Sequence, residues 1–232
     1  MAIKVFLLGY PGSGKSAAYR HIEQYIKQYH WNWSTIRFND YDILKEMFLK
    51  EQSSSTYGNK NQFRITKHSG FDVLDFTVLD IALKELENRV QQRYDPSKDE
   101  LIIIEFARDD YIRALQQFST SFLVDAYFLF IETDIQIAIQ RVKDRVTDPP
   151  TPDNHFVSED ILNNYYGKGS PILNSNADTH ISIDKKRIHT IDSRGFLEAF
   201  NAKIEKYIRM VLARESPLLR LDEKKQFLRC QF

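Results

Sequence analysis

Short apolar runs alternate along the chain with longer segments in which apolar residues recur at helical spacing. The apolar runs predict buried strands at residues 3–8, 34–38, 101–104 and 124–131. The longer segments predict helices at residues 17–29, 43–50, 71–94, 110–118, 134–145, 158–166 and 196–214. Two further runs, 180–183 and 188–191, have the composition of short strands and could form a hairpin. This alternation favours a parallel sheet that is covered by helices on both faces.

Two polar segments interrupt the alternation, at residues 51–70 and 146–157. The first contains a run of serines and a Gly-Asn pair, and the second is rich in proline. Both are therefore expected to be irregular surface insertions. The chain contains no internal repeat and no marked domain boundary. The pattern predicts one α/β domain with insertions.

The composition narrows the class of partner. The 232 residues include 32 basic and 32 acidic side chains, and this balance argues against a broad nucleic-acid or membrane-surface interface. The one cysteine, Cys230, excludes an intramolecular disulfide and fits a reducing compartment. No apolar run approaches the ~20 residues of a membrane helix, and we expect no signal peptide. These features predict a cytoplasmic protein that binds neither nucleic acid nor membrane.

The first strand is followed directly by a glycine-rich motif. Residues 9–16 read G-x-x-x-x-G-K-S, and a helical segment follows them. Gly12 and Gly14 allow backbone angles that let consecutive amides point at one phosphate group. Lys15 is expected to reach the β- and γ-phosphates, and the Ser16 hydroxyl to bind Mg²⁺. An ordinary glycine-rich turn before a helix would not need these residues at these spacings. The predicted nucleotide contacts in this segment are Gly9, Gly12, Ser13, Gly14, Lys15, Ser16 and Ala17.

Two carboxylates, Asp40 and Asp42, follow the second predicted strand. In an open parallel sheet, ligands gather at the carboxyl ends of the strands. One carboxylate could bind Mg²⁺ through water, and the other could accept the proton of an attacking hydroxyl group. The alternative is structural, with Asp42 as a helix cap and Asp40 as a turn residue. Beside a phosphate-binding loop, we favour the catalytic interpretation.

Glu105 ends the most apolar strand, and Arg108 follows three residues later. An acid at this position suits the organisation of Mg²⁺ together with Ser16 and Asp40. Arg108 could bind an anionic group of the substrate or form an ion pair with Glu105. The alternative interpretation is that both residues belong to a structural ion pair.

Arg141 and Arg145 are four residues apart in a predicted helix and therefore share one face. Two guanidinium groups before an irregular segment could close over the transferred phosphoryl group and exclude water. Arg141 is also expected to contact the nucleotide. The alternative is a solvated helix face, since Lys143 and Asp144 make this stretch highly charged.

With these residues placed, the chain resembles the phosphate-loop (P-loop) small-molecule kinases, which include nucleoside, nucleotide, shikimate, gluconate and zeta-toxin-like kinases. The resemblance rests on residues 9–16, on the pair Asp40 and Asp42, and on Arg141 and Arg145. It implies the three-layer α/β/α fold of the P-loop NTPases, with a five-stranded parallel sheet and a helical lid. In these families the second carboxylate of the D-x-D pair contacts the acceptor hydroxyl. The resemblance therefore implies that role for Asp42 and a magnesium-side role for Asp40.

The resemblance also implies a division of the chain. Residues 1–214 form the kinase-like domain, with an acceptor-binding insertion at about 43–75 and a lid at about 141–166. Residues 215–232 form a C-terminal tail outside the resemblance. The chain departs from deoxynucleoside kinases because residues 105–108 are not Glu-Arg-Ser, and from shikimate kinases because no glycine triplet follows the third strand. A GTPase is disfavoured because the Asn-Lys-x-Asp guanine signature is absent from the sequence.

The leading hypothesis is an ATP-dependent kinase that transfers the γ-phosphoryl group of Mg-ATP to a hydroxyl of a nucleoside, a sugar or a nucleotide sugar. The expected catalytic residues are Lys15, Asp42, Arg141 and Arg145, with Asp42 and Arg108 as substrate contacts. The alternative hypothesis is a nucleotide-dependent binding or regulatory module with weak hydrolysis, so a protein partner remains open. The sequence does not define the acceptor.

Overall fold

The computed structural model describes residues 1–30, 32–53, 62–147, 149–168 and 183–215. Its strands are β1 (Ala2–Leu8), β2 (Ser34–Asn39), β3 (Phe63–Ile65), β4 (Phe71–Val73), β5 (Glu100–Phe106), β6 (Tyr127–Glu132) and β7 (Ile188–Asp192). Its helices are α1 (Lys15–Tyr29), α2 (Asp40–Ser53), α3 (Thr77–Arg93), α4 (Tyr111–Leu115), α5 (Thr120–Leu123), α6 (Ile135–Arg145), α7 (Glu159–Asn164) and α8 (Leu197–Glu215).

Five strands form one parallel sheet in the order β2-β5-β1-β6-β7, and helices pack on both faces. On one face, Phe6 and Ile104 belong to a buried cluster that includes residues of α2 and α3. On the other face, Leu7 and Ile103 belong to a second cluster with residues of α1 and α8. Strands covered on both faces must be apolar throughout, which is why the central strands read as continuous apolar runs. The predicted fold class is confirmed.

The insertion after α2 differs from the sequence prediction. Residues 71–94 were expected to form one helix, but residues 71–73 form strand β4, which pairs antiparallel with β3, and α3 begins at Thr77. Phe71 and Val73 alternate with the buried Asp72, so the local apolar period is that of a strand. Part of the predicted 51–70 loop is therefore a strand, while residues 54–61 lie outside the described residues.

Two other predictions need correction at their edges. Helix α2 begins at Asp40 rather than Ile43, so Asp40 and Asp42 both lie in its first turn. The strand predicted at 124–131 begins at Tyr127, because α5 and a turn occupy the preceding residues.

Strand β7 pairs in parallel with β6. Residues 180–182 of the possible hairpin lie outside the described part of the chain, as do residues 216–232 of the tail. Among the described helices, none is long and apolar enough to cross a membrane.

Candidate active site

The glycine-rich loop lies between β1 and the start of α1. Gly12 and Gly14 have φ angles of 81° and 111°, in the region that side chains disfavour. A Cβ atom on Gly12 would overlap the backbone carbonyl of Ala138 in α6. Helix α1 begins at Lys15, so its unpaired N–H groups and the positive end of its dipole lie at the loop. The loop therefore has the geometry that binds phosphate groups at a helix N-terminus.

Lys15 is buried at the centre of the loop. Its Nζ donates hydrogen bonds to the backbone carbonyls of Gly9, at 2.6 Å, and Tyr10, at 3.0 Å. Burial lowers the pKa of Lys15 to about 8, and the nearby Glu105 carboxylate opposes this shift only in part. In the residues that the structure describes, no carboxylate lies within ion-pair distance of Nζ. The ammonium charge therefore suits a phosphate group.

An arginine that the sequence analysis did not identify organises the polar groups beside Ser16. Arg37 of β2 donates from Nε to Glu105 at 2.9 Å and from one terminal nitrogen to Asp153 at 2.7 Å. Another terminal nitrogen lies 3.4 Å from the Ser16 hydroxyl. Burial alone would lower the pKa of Arg37, but Glu105 and Asp153 raise it above its usual value. The guanidinium therefore remains charged between two carboxylates.

Asp153 comes from the proline-rich segment after α6. It accepts hydrogen bonds from Arg37 and Ser16, and Arg20 of α1 donates to its second oxygen at 2.9 Å. Burial raises the pKa of Asp153, but the guanidinium of Arg37, the Ser16 hydrogen bond and the charge of Arg20 together outweigh burial and hold the pKa below its usual value. One weak sequence signal existed for this cluster, since Arg37 is the charged residue within the strand predicted at residues 34–38. Asp153 had none, because it lies 116 residues away from Arg37.

Asp40 lies in the first turn of α2 and is buried. Its carboxylate accepts a hydrogen bond of 2.5 Å from Arg108, which also donates to the carbonyls of Ala107 and Leu79 at 2.6 and 2.8 Å. Burial alone would lower the pKa of Arg108, but the charge of Asp40, its hydrogen bond and the nearby Tyr165 and Tyr166 together outweigh burial and raise the pKa. The ion pair between Arg108 and Glu105, one of the two possibilities considered for Arg108, does not form: Arg108 pairs with Asp40, and Glu105 pairs with Arg37.

Asp42 has a different environment from Asp40. Its side chain is exposed and accepts a hydrogen bond from Asn39, while its backbone N–H donates to the Asn39 side chain at 2.9 Å. Asn39 is therefore the N-cap of α2, and Asp42 supports that cap from the third helical position. Asp42 does not line the cavity described below. This arrangement corresponds to a structural role near the cap, not to the acceptor contact expected by resemblance.

The two arginines of α6 have separate environments. Arg141 donates to the hydroxyl and the carbonyl of Ser193, at 3.0 and 2.9 Å, and lies 3.4 Å from the carbonyl of Gly12. Arg145 lies in the cavity wall and forms no hydrogen bond or ion pair with the described residues. Burial lowers the pKa of Arg145. Arg141 therefore holds the loop, whereas the guanidinium of Arg145 is available to a ligand.

One cavity joins these groups and encloses about 110 Å³. Near the loop the cavity lining is polar, and we call this part the loop side. It consists of Gly12, Lys15, Ser16, Arg37, Glu105 and Arg145. The rest of the lining carries rings and aliphatic groups from the β3-β4 insertion, α2, α3 and the segment around α7. Asp40 and Arg108 also line the cavity. The phosphate-binding loop and a buried carboxylate therefore face a shared enclosed space.

His155 closes part of this cavity and was not identified as a site residue. Its ring stacks on Tyr41 with a centroid distance of 4.2 Å, and its Nδ1 lies 3.0 Å from the carbonyl of Pro152. Burial, with a further contribution from Arg145, lowers the pKa of His155 to about 3. The imidazole is therefore neutral at physiological pH.

The groups predicted to bind magnesium fit it only in part. The Ser16 hydroxyl lies in the loop, as a magnesium ligand of a bound nucleotide would. Asp40 and Glu105, however, are each bonded to a guanidinium group. In the described residues no three His, Cys, Asp or Glu side chains form a cluster that could hold a metal ion. The described residues therefore fit a magnesium ion held by Ser16 and by phosphate oxygens of a bound nucleotide, rather than by a cage of carboxylates.

No known family model matches the sequence, and no curated protein sequence matches it. Solved structures are similar in fold. A gluconokinase from Sinorhizobium meliloti 1021 is 12% identical over 97% of each chain, with a TM-score of 0.50. Kti12 from Chaetomium thermophilum, solved in complex with ADP-AlF3, is 10% identical over 88% of this chain and 96% of its own, with a TM-score of 0.52.

The sheet order and the glycine-rich loop define an α/β protein with a nucleotide-phosphate site at the end of β1. The similar structures make the class more specific: the chain has the fold of the P-loop kinases. Identities of 10–12% show that fold alone. The reaction and its substrates are therefore argued from the site of this chain.

Proposed function

We propose that the protein transfers the γ-phosphoryl group of ATP to a hydroxyl group of a small molecule. The observation that carries this proposal is the single cavity that Lys15 and Asp40 both line. Phosphoryl transfer depends on positioning, because the phosphate and the attacking oxygen must meet in line and away from water. A module that only binds nucleotide would need the loop but not an enclosed space beside it.

On the loop side, Lys15 and the N-terminal amides of α1 bind the β- and γ-phosphates. Arg145 neutralises the charge that develops on the transferred group, since its guanidinium has no other partner in the described chain. Arg141 is a positioning residue, because it contacts carbonyls of the loop. ATP binds such loops with Mg²⁺, which Ser16 would hold and which neutralises phosphate charge.

On the acceptor side, Asp40 receives the proton of the attacking hydroxyl. It replaces Asp42 in this role, because Asp40 lines the cavity whereas Asp42 is exposed beside the cap. Arg108 fixes the Asp40 carboxylate through its hydrogen bond of 2.5 Å. His155 stays neutral and helps to close the cavity, which limits hydrolysis of ATP by water.

The test compares two matched variants in the first turn of α2. Asp40→Asn and Asp42→Asn each remove one negative charge from the same helix end. With labelled ATP and pooled nucleosides and sugars, we expect Asp40→Asn to lose about 10²–10⁴-fold in transfer rate, as loss of a general base does. We expect Asp42→Asn to stay near the wild-type rate, and Lys15→Ala to lose transfer while remaining folded.

Two outcomes would count against the proposal. Normal transfer by Asp40→Asn together with loss in Asp42→Asn would return the base role to Asp42. Wild-type protein that binds ATP and transfers nothing to any acceptor in the pool would refute a kinase. The remaining interpretation would then be a nucleotide-dependent binding module, which partner capture in the ATP-bound state would support.

A further inference from the structure

We infer that the acceptor is an uncharged, ring-bearing alcohol of the nucleoside type, rather than a sugar acid or a nucleotide. This inference rests on the proposed function and narrows it to one class of acceptor. It follows from the distribution of rings, charges and unpaired donors over the cavity wall.

Much of the remaining cavity lining is built from aromatic rings. We call this set the aromatic wall: Tyr41, Phe71, Phe76, Tyr165 and Tyr166. The rings of Phe76 and Tyr165 stack at 4.5 Å, and those of Tyr41 and Phe71 stack at 5.6 Å. Aliphatic side chains complete the surface: Leu44, Leu79, Val157 and Ile161. A flat ring gains contact area on such a wall, whereas the hydroxyl groups of an open polyol would lose water without replacement.

The charged groups near this wall are neutralised by one another. Asp40 is paired with Arg108, and Asp72 is paired with Arg64 at 2.6 Å. His155 is neutral and therefore adds no charge. Among the described residues on this side, every charged group has a partner of opposite sign. An anionic acceptor would have to be buried without a counter-ion or would have to break one of these pairs.

The loop side has the opposite character. Neither Lys15 nor Arg145 forms an ion pair with any described residue, and both line the cavity. Unpaired cations on this side suit the phosphates of ATP, while the neutral wall suits a neutral acceptor. The lining thus offers unpaired cations to phosphate groups and uncharged rings to a neutral acceptor.

Two buried donors near the aromatic wall indicate which neutral ring would fit. Within the described chain, the Tyr41 hydroxyl and the Nε of Arg108 have no hydrogen-bond partner. Buried donors without partners are costly, and because neither atom is exposed to the cavity in this structure, a ligand with acceptor atoms would satisfy them only after a small side-chain shift. Carbonyl oxygens and ring nitrogens of a nucleoside base are such acceptors, whereas a plain hydrocarbon ring has none.

The experiment measures acceptor binding apart from transfer. Wild-type protein is saturated with a non-hydrolysable ATP analogue, and uridine, adenosine, their 5′-monophosphates and gluconate are titrated by calorimetry. We expect at least one nucleoside to bind at least tenfold more tightly than its own monophosphate and than gluconate. Equal or tighter binding of the anions would overturn the inference, and so would failure of both nucleosides to bind.

A matched pair of variants tests the charge argument directly. Phe76 lines the cavity and is 41% exposed, so Phe76→Arg adds a positive charge at the aromatic wall without burying it fully. Leu74 is 44% exposed and does not line the cavity, which makes Leu74→Arg the control. We expect Phe76→Arg to shift the preference towards the monophosphate by at least tenfold and Leu74→Arg to leave it unchanged. The same shift in both variants would overturn the inference.

The acceptor inference and the proposed function can fail separately. If both nucleosides fail to bind but another alcohol accepts phosphate from ATP, the inference is overturned and the proposed function stands. If a nucleoside binds with the expected preference but never receives phosphate, the proposed function fails and the inference on the binding compartment stands.

Discussion

The buried pair of Asp40 and Arg108 allows a quantitative test of the site. Arg108 is only 3% exposed. In the described part of the chain, its side chain donates hydrogen bonds to the Asp40 carboxylate and to the backbone carbonyls of Ala107 and Leu79. Removing one partner of a buried pair costs about 3–5 kcal/mol, because the other charge stays buried. We expect Asp40→Asn at the lower end of that range, since asparagine can still accept one hydrogen bond.

A double-mutant cycle measures the coupling free energy between Asp40 and Arg108. Arg108→Met leaves the Asp40 carboxylate without its cation, so we expect a loss of about 3–5 kcal/mol. The double variant removes both charges, and we expect it to lose less than the sum by about 2–3 kcal/mol, within the range for residues in contact. For a chain of this size, 1 kcal/mol shifts Tm by about 2–4 °C, so each single variant should melt roughly 6–20 °C below wild type.

The assay is thermal unfolding without nucleotide, followed by circular dichroism, with denaturant titration to obtain free energies. A surface pair provides the control cycle: Asp80 and Arg113 are joined at 3.0 Å, but the Arg113 side chain is 64% exposed. We expect a coupling below about 1 kcal/mol there. Additive losses at Asp40 and Arg108, with coupling below about 0.5 kcal/mol, would refute the reasoning.

Three further predictions concern pH and the loop. Because burial lowers the pKa of Lys15 to about 8, ADP affinity measured by calorimetry should fall as pH rises through about 8. Lys15→Arg should flatten this decline, because arginine stays charged. An equal decline in the Lys15→Arg variant would contradict deprotonation of Lys15 as the cause. The unfolded chain takes up a proton at His155 below about pH 6.5, whereas the ring in the folded protein does so only near 3. The free energy of unfolding should therefore decrease as pH falls from about 6.5 to 3, by at most about 1.4 kcal/mol per pH unit. In His155→Phe, the urea midpoint of unfolding should lose this part of its pH dependence. If the midpoint changes with pH as steeply as in wild type, His155 is not neutral in the folded protein. Gly12→Ala should weaken ADP binding at least tenfold, because the new Cβ would meet the backbone carbonyl of Ala138. Gly195→Ala is the control for backbone strain, because Gly195 also has a positive φ but has open space around its Cβ position. Equal losses of ADP affinity in the two variants would exclude the steric cause.

The parts of the fold that depend on short-range pattern could be predicted from the sequence. The central strands are apolar on both faces, and the loop motif needs only eight consecutive residues. The insertion was harder, because Phe71 and Val73 fit both a helical and a strand period until their pairing with β3 is known. Local periodicity does not contain that long-range pairing.

The candidate site shows a similar limit. Residues two apart in a helix point about 200° away from each other, so once α2 begins at Asp40, only one of Asp40 and Asp42 can face the cavity. Sequence spacing alone did not reveal which. Arg141 and Arg145 do share a face, but they are about 6 Å apart along the helix axis, which separates the loop contact from the cavity. The link between Arg37 and Asp153 depends on tertiary folding.

The contacts of α6 limit where a moving lid can pivot. Ala138 packs against Gly12, and Arg141 is tied to Gly12 and Ser193, so the first two turns of this helix belong to the rigid base that carries the phosphate cradle. Arg145, at the end of the helix, extends from that base. If the segment predicted as a lid moves, these contacts predict that it pivots beyond Arg145. The Arg145 guanidinium would then keep its place beside the loop whether the site is open or closed.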